Sequence, residues 1–70
     1  MIYSDPITKQ QAAEMYVRCM KGVSEKLAEK MINSLCEKQS DIFFLKEFNR
    51  LMEIRLRMFA PGMYQIVYEN

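Results

Sequence analysis

Two cysteines, Cys19 and Cys36, and one pair of carboxylates a helical turn apart, Glu25 and Glu29, are the groups in this 70-residue sequence that come nearest to chemistry. There is no histidine. Its absence removes the commonest general acid/base and the commonest metal ligand together, and two thiols alone make a poor zinc site. Glu25 and Glu29 fall on the polar side of a helical wheel. A di-iron bundle needs inward-facing carboxylates with Glu-x-x-His pairs, so a solvated face is their expected role. Gly22 and Gly62 stand alone, which leaves no glycine-rich loop to cradle a phosphate. The expectation is a non-enzymatic protein with no cofactor and no metal.

The thiols also speak to compartment. On an antiparallel helical hairpin turning at Gly22, Cys36 falls about 13 Å beyond the residue facing Cys19, too far for a disulfide. Two reduced cysteines, packed as small apolar groups, suit a cytoplasmic protein. The opening Met1-Ile2-Tyr3-Ser4-Asp5-Pro6 has no basic region and no long apolar stretch, so no signal peptide is expected. The longest wholly apolar run, residues 42–45, is far short of the roughly 20 residues that span a bilayer, and no membrane partner is expected.

Ten Lys and Arg face nine Asp and Glu, for a formal net charge of +1. The balance is even along the chain: residues 1–22 sum to +1, 23–39 to 0, 40–60 to +1 and the rest to −1. No polybasic arm exists to drive nonspecific phosphate binding. Half of the residues are hydrophobic, which argues against disorder, yet a core in so short a chain is marginal and wants support.

The elements that must position these groups read as helices. Gly22, the Gln39-Ser40-Asp41 break and Pro61-Gly62 divide a single domain, residues 1–70, into three helical stretches at about 6–21, 24–38 and 41–60, with an extended tail at 63–68. Asp5-Pro6 suits the start of the first helix, and Thr8 with Gln11 offers a rival capping-box start. Ser24 suits a cap for the second, and Ser40 or Asp41 for the third. The expected fold is an all-α helical bundle with helix 3 central, its extended N- and C-terminal segments available to pair as strands.

Helix 3 departs from simple amphipathicity. Phe44, Leu45, Phe48, Leu51, Met52, Leu56 and Phe59 form one stripe, and Phe43, Ile54 and Met58 widen it past half the circumference. Arg55 and Glu47 then fall among apolar neighbours, where each must snorkel or pair across helices or chains. Seven methionines against five leucines add adaptable apolar surface. The expected function is a small interaction module, a regulator or adaptor, forming a homodimer or a protein complex through Phe43, Glu47, Ile54, Arg55, Met58, Tyr64, Ile66 and Tyr68.

Lys21-Gly22-Val23-Ser24 resembles the Gly-Val-Ser turn of helix-turn-helix DNA-binding proteins, with Val17, Val23 and Met31 on apolar positions of that pattern. The resemblance, over about 20 residues, implies a small transcriptional regulator with its reader at 24–38. Arg18 and Lys21 depart from it, standing where small and apolar residues are usual. Lys46, Arg50 and Arg57 would be phosphate contacts on helix 3 in such a protein. A neutral, Glu-bearing reader disfavours this alternative.

Overall fold

The computed structural model describes residues 1–68. Local caps set the helix starts. Thr8 Oγ1 accepts the Gln11 N–H at 3.1 Å while Gln11 Oε1 accepts the Thr8 N–H at 2.8 Å, a capping box that opens α1, Lys9–Arg18. Ser24 Oγ accepts the Leu27 N–H at 3.2 Å to open α2, Glu25–Lys38, and Ser40 Oγ accepts the Phe43 N–H at 3.2 Å to open α3, Asp41–Leu51. Between α1 and α2 the chain turns through Gly22 at φ +78°.

The remaining residues form a sheet, so the architecture is α+β and the expected all-α bundle is overturned. Helix 3 does not run to residue 60. It ends at Leu51, and Arg55–Ala60 is strand β3, paired antiparallel with β4, Met63–Tyr68. Arg55, Leu56, Arg57, Met58 and Phe59 alternate polar and apolar almost residue by residue, which suits a strand with one covered face. Pro61-Gly62 closes the hairpin, with Gly62 at φ +74° supplying the backbone turn that Pro61 sets up. The over-wide stripe was therefore two elements read as one.

The first helix is also shorter than the expected span of 6–21. Asp5-Pro6 lies instead between two short strands, β1 at Ile2–Tyr3 and β2 at Ile7–Thr8, which run antiparallel along the other side of β4. Ile2 pairs with Tyr68 and Tyr3 with Val67, whereas Ile7 pairs with Tyr64 and Thr8 with Met63, a one-residue shift. Ser4 bridges the irregularity. Its N–H donates to the Ile66 carbonyl at 2.9 Å and its Oγ accepts the Ile66 N–H at 2.8 Å. Pro6, which has no N–H to give a ladder, is tolerated there.

β4 is thus the central strand, and the helices cover one face of the sheet. The buried core comprises Ala12, Ala13 and Val17 of α1, Ala28 and Ile32 of α2, Phe44 and Phe48 of α3, Leu56 of β3 and Tyr64 of β4. Phe44 lies at its centre, with ring centroids 6.1 Å from Phe48 and 5.6 Å from Tyr64. Among the described residues no helix is long and apolar enough to cross a membrane.

Candidate functional site

The end of α3 and the two edges of the sheet bring apolar side chains to one place. Ile2 and Tyr68 are a register pair, and Ile54 precedes Arg55, which pairs with Val67 beside Tyr68. One shallow cleft is lined by Glu53, Ile54, Arg55, Ile66, Val67 and Tyr68. A second, lined by Cys19, Leu51, Met52, Glu53 and Ile54, adjoins it. Glu53 and Ile54 belong to both. Ile2, Leu51, Ile54 and Tyr68 are between 40% and 57% exposed, so this base of the hairpin is an apolar surface rather than core.

Of the residues expected at a partner interface, Ile54, Arg55, Ile66 and Tyr68 meet here. Phe43 does not. It is exposed in the first turn of α3, beside the hairpin tip, about 20 Å of strand away from Tyr68. Met58 is half-buried against the core. Glu47 is half-buried and pairs with Arg50 at 2.9 Å, so its charge is answered within its own helix. Arg55 lies on a strand and is exposed, and does not project between Phe44 and Phe48.

Tyr64 is corrected outright. Its ring is fully enclosed and its hydroxyl donates to Asp41 Oδ1 at 3.1 Å. Burial, followed by this bond to a carboxylate, pushes its phenol well above the usual tyrosine range. Asp41 also accepts the Gly62 N–H at 2.8 Å and pairs with Lys9 at 3.3 Å. These contacts hold its carboxyl below the usual range, the Gly62 N–H contributing most. Lys9 Nζ donates in addition to the Gln39 carbonyl, and the Lys9 N–H donates to the Gly62 carbonyl at 3.0 Å. These contacts of Lys9, Asp41 and Tyr64 tie the hairpin tip to the starts of α1 and α3. The group acts as a clamp on the hairpin tip.

The three candidate phosphate contacts are separated. Lys46 and Arg50 are exposed on α3, which packs against the covered face of the sheet, whereas Arg57 lies on the open face, its guanidinium 4.1 Å from the Tyr3 ring centroid. Only a helix continuing past Leu51 would carry all three, and α3 ends there. Arg50 is in any case engaged by Glu47.

Both cysteines are free thiols, Cys19 exposed and Cys36 half-buried, and burial pushes the Cys36 thiol up. Among the described residues no group of three or more His, Cys, Asp or Glu side chains could hold a metal ion. No family model, no curated protein and no solved structure matches the chain.

Ile2, Leu51 and Glu53 join this surface in addition to the residues expected from the sequence. On a continuous third helix Leu51 belongs to the apolar stripe. For Leu51 and Glu53 the local hint is the polar–apolar alternation of residues 55–58, whereas Ile2 is brought in only by its pairing with Tyr68.

Proposed function

We propose that this chain is a non-enzymatic protein–protein interaction module whose contact surface is the apolar base formed by Ile2, Leu51, Ile54 and Tyr68. The observation that carries this reading is the exposure of these four large side chains at adjoining positions. A domain this small gains most of its stability from burying apolar area, and leaving such residues in water forgoes it. A surface patch that also has no neighbouring element to cover it is the usual signature of a partner site. Arg55 at its margin adds a residue type favoured in such contacts.

A DNA-binding role through α1 and α2 has less support. The exposed side of α2 alternates Glu25, Lys26, Glu29, Lys30, Glu37 and Lys38, which offers phosphates as much repulsion as attraction.

The test is site-directed photo-crosslinking in the native host. A photoreactive amino acid at position 54 should give a covalent adduct of increased mass, and the same group at exposed position 30 on α2 should not. Equal yields at the two positions, or none at 54, would refute the proposed surface.

A further inference from the structure

We infer that the occupant of this base is a second copy of the chain, docked about a two-fold axis with Glu53 of each copy against Arg55 of the other. This rests on the reading of the base as a protein contact surface. Its particular support is the charge pattern. Glu53 and Arg55 flank Ile54, line the same cleft and are both exposed. Among the described residues, the ion pairs are Lys9–Asp41, Arg18–Glu25 and Arg50–Glu47, and neither Glu53 nor Arg55 takes part in one.

A patch carrying one charge of each sign about an apolar centre attracts neither a strongly acidic nor a strongly basic partner. It is complementary to itself. In a two-fold contact residue i meets j and j meets i, so one Glu–Arg arrangement is used twice while Ile54 and Tyr68 meet their own counterparts near the axis. The same geometry supplies the additional burial that a 70-residue domain wants.

The experiment is sedimentation equilibrium on the full chain from 1 to 100 µM, a range on the order of that in which weak dimers dissociate. Wild type should show a monomer–dimer equilibrium. Glu53→Arg and Arg55→Glu each place like charges against each other twice, and each should weaken association by about tenfold. Mixing the two variants in equal amounts should restore it, because the heterodimer has both pairs with signs opposed. Far-UV circular dichroism, unchanged in both variants, separates this effect from misfolding. If wild type dimerises but the mixture is no tighter than either variant, the reciprocal arrangement is wrong while the contact surface stands. If wild type is monomeric throughout, the second copy is not the occupant, and a crosslink from position 54 to a different protein would still uphold the broader reading.

Discussion

Asn49 on α3 closes the free edge of β3 at Leu56: its Oδ1 accepts the Leu56 N–H at 2.8 Å and its Nδ2 donates to the Leu56 carbonyl at 2.9 Å. The side-chain amide stands in for a neighbouring strand. Leu56 faces Ile66 of β4, whose own N–H and carbonyl are taken by Ser4 on the opposite side. Leu56 is therefore at a non-hydrogen-bonded position of the β3–β4 ladder, and its backbone groups point outward. Replacing Asn49 with Ala should lower stability by about 1–2 kcal/mol in urea unfolding and raise the tendency to aggregate, since an open edge is a template for pairing. An unchanged urea midpoint would show that water serves Leu56 as well as Asn49 does.

Tyr64 should ionise well above the usual tyrosine range. Its folded pKa is raised, so its neutral form supports the fold fully below the unfolded value of about 10, and that support is lost as the pH rises through the folded value. Ultraviolet titration of the native protein should show one phenol ionising late or only with unfolding. Tyr64→Phe should remove that late step.

Acid should act through Asp41 in the opposite sense. Its folded pKa is depressed, so its contribution is present above the unfolded value of about 3.9 and is lost as the pH falls through the folded value. Urea midpoints should fall on acidification below about pH 4. In Asp41→Asn the protein should be less stable at pH 7 and its acid dependence shallower. Parallel curves for variant and wild type would assign the acid sensitivity to other carboxylates.

Gly62 tests the turn alone. A Cβ added there meets nothing within 4 Å, so Gly62→Ala introduces no clash and should cost only the left-handed conformation, about 1–2 kcal/mol. Retention of the Asp41 contact should be visible as an unchanged late ionisation of Tyr64. A much larger loss would mean that the hairpin tip tolerates no adjustment.

The two thiols should be kinetically distinct. Cys19 is exposed, while Cys36 is partly covered and its thiolate is disfavoured by burial. A disulfide reagent at pH 8 should modify one thiol per chain rapidly and the second slowly. Cys19→Ser should abolish the fast phase.

What could be read along the chain was local. Ser24 and Ser40 announce the starts of α2 and α3 because a cap is decided within three residues. The end of α3 is decided elsewhere. Nothing in Leu51-Met52-Glu53 forbids another turn, and Leu56 and Phe59 lie at helical spacing from Met52. Only the register of residues 55–60 against 63–68 makes strand the better state, which is tertiary context overriding propensity. The same register decides the candidate site. Ile54 and Tyr68 carried a detectable apolar surplus, but Ile2 joins them through a partner 66 positions away, and Tyr64 is turned inward by the face its strand position assigns.

β4 is the last of the four described strands along the chain, yet both flanks of the sheet are built on it. Until residues 63–68 leave the ribosome, Ile2, Tyr3, Ile7 and Thr8 have nothing to pair with, and β3 has no ladder. The contacts of α1 with α2 and of α3 with residues 55–60 are local enough to form before then. The sheet must therefore form late, governed by closure between distant segments. A chain cut before residue 63 should keep its helices and have no sheet. Its apolar alternation would then lie open to aggregation and to proteolysis.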